Sequence, residues 1–195
     1  MFDAGPPPKL WIPSRPAIIR AASRGEFGRA GILPGIGAPL GGLAGKSLTE
    51  TLVGQGVGTV IENMTANGAG KAFDGNTAQG QNSGAARVAT SGYNGKDWGA
   101  STTKLISKAV VWPSNDNGFC ASESGNITVE LHGHSSAPSN GTEGTILANL
   151  SIADTTASQT LTSSNQTAFR YHWIYVTNAS ATVCNIAEIN FYELV

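Results

Sequence analysis

Apolar and polar positions alternate with a period of two over short stretches of the chain beyond residue 50. In residues 126–132, Ile127, Val129 and Leu131 fall on one face and Thr128, Glu130 and His132 on the other. That is the pattern of a strand resting one side on a core. Runs rich in β-branched and aromatic residues also occupy 59–64, 105–112, 145–150, 169–176 and 183–192. Pro113 and the turn-forming residues 114–118 close the second of these, and Asn, Gly and Ser separate the others. No stretch sustains a helical period, and no repeat of solenoid spacing is present. Several short strands with such turns between them predict an antiparallel sandwich or barrel.

The first 46 residues are of a different texture. Seven of the nine prolines precede Lys46, interleaved with glycines. Proline lacks the N–H and glycine costs backbone entropy, so neither a helix nor a central strand is expected there. Yet Trp11, Ile18, Ile19, Ile32 and Leu33 recur through this segment with no local core to enter. They are expected to anchor the chain on the surface of another body. Six basic residues stand against two acidic ones up to Lys46, while the remainder is acid-rich. The division predicted is therefore an extended Pro/Gly-rich N-terminal arm, residues 1–50, and a β-sandwich domain, residues 51–195, with different partners for each.

A chain of 195 residues is long enough for one sizeable core. Charged residues make up 13%, and Ser, Thr, Asn and Gly fill the gap, but the β-branched and aromatic runs argue against disorder. No segment is long and apolar enough to span a bilayer, so no membrane partner is expected. The bases are spread out and the body is acidic, which argues against nucleic acid. No G-x-S-x-G elbow, nucleophile–base pair or recognisable carboxylate pair is present, so no enzyme activity is expected. Cys120 and Cys184 are too few for a zinc site. The N-terminus lacks the basic start and apolar run of a secretory signal, and buried thiols are expected rather than a disulfide. His132 and His134 share a strand face but have no evident third ligand, and a solvent-facing pair is expected.

Three further motifs stand in order along the domain: Lys71-Ala72-Phe73-Asp74-Gly75-Asn76-Thr77, Asp97-Trp98-Gly99, and Ala187-Glu188-Ile189-Asn190-Phe191-Tyr192. Together they resemble the galactose-binding-like family of discoidin (F5/8 type C) domains and carbohydrate-binding modules, over about residues 55–193. The resemblance implies an all-β, antiparallel jelly-roll sandwich. It also implies a calcium site built from Asp74, Asn76 and Glu188, weakened because Asn76 stands where an acid is common. A sugar site at the loops of one end is implied as well. Tyr93, Trp98, His132 and His134 are its candidate ligand-binding residues, although Trp98 and Trp112 suit a core better. Residues 131–138 and 141–145 look like domains of phage tail and capsid-surface proteins. The function expected is that of a virion structural protein of a tailed bacteriophage, assembled in the host cytoplasm. Residues 1–46 would join capsid or tail subunits, in a homo-oligomer, with the sandwich displayed as a decoration, spike or fibre base. The alternative is a carbohydrate-binding module that adsorbs to host-cell glycans.

Overall fold

The computed structural model describes residues 47–88, 90–121 and 126–195. The anchoring residues expected at Trp11, Ile18, Ile19, Ile32 and Leu33 lie outside them. The described chain is built of strands, with one 3-10 turn at Lys71–Phe73. In order they are β1 (Glu50–Leu52), β2 (Thr59–Glu62), β3 (Ala86–Val88), β4 (Ser91–Asp97), β5 (Ile106–Trp112), β6 (Cys120–Ala121), β7 (Ile127–His134), β8 (Thr145–Ile152), β9 (Gln159–Thr162), β10 (Tyr171–Thr177), β11 (Val183–Ile186) and β12 (Glu188–Leu194). A five-stranded sheet of order β2-β4-β10-β7-β8 and a four-stranded sheet of order β1-β12-β5-β9 enclose the main core, and β3-β11-β6 form a small third sheet. Every pairing is antiparallel.

The alternation seen in β7 does what its period requires. Ile127, Val129 and Leu131 are fully buried, beside Ile174 and Val176 of β10, in one core with Ile106, Val111, Ile189 and Phe191 of the four-stranded sheet. The run 183–192 divides into β11 and β12 at Ala187, whose N–H bonds to Trp112 O at 2.8 Å, so its two halves serve different sheets. Trp98 is a core residue, and its Nε1–H donates to His172 Nδ1 at 2.8 Å. Trp112 is half-buried.

Strand β10 lies between β4 and β7 and is buried on both faces. Its outer face carries Tyr171, Trp173 and Tyr175, opposite Tyr93 and Gly95 of β4 and Glu130, His132 and His134 of β7. Residues 135–144, between β7 and β8, fold back over this aromatic row. Trp173 Nε1–H donates to Gly141 O at 2.7 Å, and Tyr93 Oη to Pro138 O at 3.4 Å. Glu143 holds the loop's shape by accepting from the N–H groups of Ser139, Asn140 and Gly141. Its carboxyl lies below the usual carboxylate range because these backbone donors outweigh the opposing effect of burial.

Glycine is required where β4 meets β10. A Cβ on Gly95 would stand 2.2 Å from His172 O and 2.4 Å from Trp173 Cβ, far inside contact distance. The variant Gly95→Ala is therefore expected to lose roughly 3 kcal/mol of stability or more, read as a lower urea midpoint with an unchanged m-value.

Candidate functional site

At the end of the sandwich where β5 and β8 finish, two turns frame an open cleft of about 480 Å³, lined by Asp116, Asn117, Gly118, Asp154, Thr155 and Thr156. The first turn follows Pro113, which ends β5. Ser114 N–H and Gly118 O bond at 3.1 Å and close a tight hairpin, with Gly118 at φ 63°. Only a residue without a side chain fits there, because a Cβ would meet the Asp154 carboxylate at 2.3 Å. The second turn is held by that carboxylate: Asp154 Oδ1 accepts from Phe119 N–H at 2.8 Å and Cys120 N–H at 3.4 Å.

The hairpin is also fastened to the loop before β3. Asp116 Oδ1 accepts from Gln81 N–H at 2.8 Å, Asn117 Nδ2 donates to Gln81 Oε1 at 2.6 Å, and Asn115 bonds to Gln79 O and Ala78 O. The Gln81 N–H first, with Ser114 and Asn117 behind it, holds the Asp116 carboxyl below its ordinary range. Chemically the cleft offers carboxylate, amide and hydroxyl groups on fixed backbone. Among the described residues, no Lys, Arg, His or aromatic side chain lines it.

The four residues singled out as sugar ligands are not brought together. Tyr93 and His132 lie beneath the 135–144 loop and Trp98 lies in the core. His134 is half-exposed at the end of β7, its Nδ1 accepting from Ser136 N–H at 3.2 Å. His132 differs from the solvent-facing position expected. It is 1% exposed, stacked on Trp173 with ring centroids 5.3 Å apart, and bonded to Glu143 O through Nδ1 and to Glu130 Oε2 through Nε2. None of the four lines the cleft. Asp116, Asn117, Asp154, Thr155 and Thr156 escaped sequence reasoning because they sit in turns, where the only signal is the Asn/Asp/Gly cluster after Pro113.

The Asp74 loop does meet Glu188. Gly75 N–H donates to Glu188 Oε2 at 3.0 Å, and the N–H groups of Asp74 and Asn76 pull the same way. The loop thus turns donors toward the carboxylate, whereas a calcium ion needs oxygens. Both Asp74 oxygens accept from Gln79 Nε2 at 2.6 Å, and Asn76 Oδ1 accepts from its own loop at Ala78 N–H. A buried cation is already close. Lys96, 4% exposed, attracts both Glu188 and Glu62 while donating to Gln55 O at 2.7 Å. Glu188 Oε1 is buried without a hydrogen bond, yet among the described residues no three acids, histidines or cysteines converge on a common point. This donor set does not fit calcium.

No protein-family model matches the sequence, and no curated protein matches it. Solved structures do match in fold. The family 32 carbohydrate-binding module of NanJ from C. perfringens, in complex with galactose, is 19% identical with a TM-score of 0.53, covering 74% of this chain and 100% of that one. A fucolectin from striped bass (Morone saxatilis) serum is 19% identical with a TM-score of 0.56, covering 76% of this chain; the match spans about half, 49%, of the fucolectin. A further family 32 module from Clostridium perfringens, in complex with GalNAc-β-1,3-galactose, is 17% identical with a TM-score of 0.50, covering 72% of this chain and 99% of that one. The fold is a galactose-binding-like β-sandwich.

Burial, and then the charge of Asp74, push the Glu188 carboxyl up to about 7 from 4.5, while the loop N–H groups oppose the rise. Its contribution to stability is full below pH 4.5 and is lost as pH rises through about 7. The variant Glu188→Gln keeps an acceptor for Gly75 and cannot ionise. It is expected to match the wild type near pH 4.5 and to exceed it by up to roughly 3 kcal/mol above pH 7. Urea unfolding across that range, read as the difference between the two proteins, checks it.

Proposed function

We propose that this chain is a non-catalytic carbohydrate-binding domain that takes an uncharged glycan in the cleft between the β5–β6 and β8–β9 turns. The observation that carries the reading is the cleft: an open site of about 480 Å³ at one end of the sandwich, lined by polar groups on a backbone fixed from behind. Sugar hydroxyls are both donors and acceptors. Carboxylates at Asp116 and Asp154 would accept from them in charge-assisted bonds, while Asn117, Thr155 and Thr156 supply both roles. With two carboxylates and, among the described residues, no base in the lining, sialylated, sulfated or uronic sugars are disfavoured by charge. The similar modules solved with galactose-containing ligands support the same class.

The virion reading rested on residues 1–46, which lie outside the described residues, and on residues 131–138 and 141–145, which here form the end of β7, the start of β8 and much of the cover over Trp173. None of the three similar structures named above is described as a virion protein, and no observation favours that reading over glycan binding.

Binding to neutral glycans on an array, followed by calorimetry, is the test. Asp116→Ala is expected to weaken affinity roughly tenfold or more, the loss of one hydrogen bond to a charged group. Thr156→Trp, which fills the cleft, is expected to abolish binding. Retained affinity in both variants would move the site elsewhere, and no binding to any glycan would overturn the reading. Because the Asp74 loop turns N–H donors toward Glu188 and both Asp74 oxygens accept from Gln79, chelator and millimolar calcium are expected to leave affinity and melting midpoint unchanged.

A further inference from the structure

Cys120 and Cys184 face each other across β6 and β11, directly paired in register. Both are fully buried. The neighbouring pair fixes their geometry: Asn185 N–H donates to Phe119 O at 2.6 Å, so 119 and 185 are a hydrogen-bonded site and 120 and 184 a non-hydrogen-bonded one. Cys120 N–H accordingly turns away from β11, toward Asp154 Oδ1. At a non-hydrogen-bonded antiparallel site the Cα atoms stand about 4.5 Å apart, within the range of roughly 4.4–6.8 Å that a disulfide spans. The side chains already converge, with Sγ to Sγ at 2.7 Å and Cys184 Sγ donating to Thr90 O at 3.3 Å.

We propose that Cys120 and Cys184 form an intramolecular disulfide by exchange with a low-molecular-weight disulfide such as oxidised glutathione. One cysteine thiolate attacks a glutathione sulfur, breaks that S–S bond and releases the first glutathione as a thiolate. The second cysteine thiolate then attacks the protein-side sulfur of the mixed disulfide. The Cys120–Cys184 bond forms and the second glutathione leaves. Two protein thiols are oxidised, one disulfide is reduced to two thiols, and the departing thiolates take up the two protons. Burial places the exchange during folding, before β6 is covered. No backbone shift is needed, and Thr90 O loses the donor it had from Cys184.

The bond would tie β11 to the candidate cleft, because β6 and the residue before it supply the Cys120 and Phe119 N–H groups that hold Asp154. The proposal does not depend on glycan binding, and its test reads mass rather than affinity.

The full chain is unfolded, refolded in a glutathione redox buffer, quenched in denaturant with an alkylating agent and weighed intact. The expected product is a monomer about 2 Da lighter than the reduced chain, with no alkyl group added. Its melting midpoint is expected several degrees above that of the reduced protein, a difference absent in Cys184→Ala. Two alkylated cysteines after oxidation, or only glutathione adducts or linked dimers, would overturn the proposal. The mass measurement is made on the unaltered chain, so it decides even where the alanine variant fails to fold.

Discussion

Burial of β10 on both faces is the constraint from which most of this structure follows. A strand at the centre of a sandwich's sheet is ordinarily covered once, by the other sheet. Here Ile174 and Val176 face the main core while Tyr171, Trp173 and Tyr175 form a second apolar layer on the opposite side. That layer has no sheet to pack on, so the connection between β7 and β8 covers it with Pro138 and Gly141, with Glu143 setting the turn. A buried indole N–H needs an acceptor, and Gly141 O supplies it. The same demand makes β4 approach β10 so closely that Gly95 has no room for a methyl group.

This explains which parts of the fold could be read from the chain. Strands whose one face meets the core, such as β7, declared themselves by alternation. Strand β4 did not, although it is central. Ser91-Gly92-Tyr93-Asn94-Gly95-Lys96-Asp97 reads as a turn, because its glycines answer to crowding by neighbours: Met64 and Val88 against Gly92, and β10 against Gly95. Local propensity describes what a segment prefers alone, and tertiary contact overrode it. The split of residues 183–192 at Ala187 was hidden for a similar reason, since both halves have strand character and only their partners differ.

Site residues divide along the same line. That the Asp74 loop would meet Glu188 was legible, because the two motifs stand in fixed places on one fold. What passes between them was not, because the direction of the loop's N–H groups and the place of Lys96 are properties of packing. His132 was assigned the correct strand face, opposite Val129 and Leu131, but its exposure depended on a loop that, in sequence, looks like any solvent turn. The cleft left the weakest trace. Asp116 and Asp154 are 38 positions apart, and their nearness depends on two strand ends finishing together.

The lining of the polar cleft serves two ends, because two of its side chains, Asp116 and Asp154, also hold neighbouring backbone in place. Its backbone is carried by Gln81, Ser114 and the two carboxylates, while Thr155 and Thr156 project from a short connection between β8 and β9. Thr156 can change identity without removing any of these bonds, whereas Asp116, Gly118 and Asp154 cannot. The rim of the cleft and its support are therefore separable only in part: Thr156 can drift with its surroundings, while the two carboxylates, like the glycines and tryptophans that close β10, cannot.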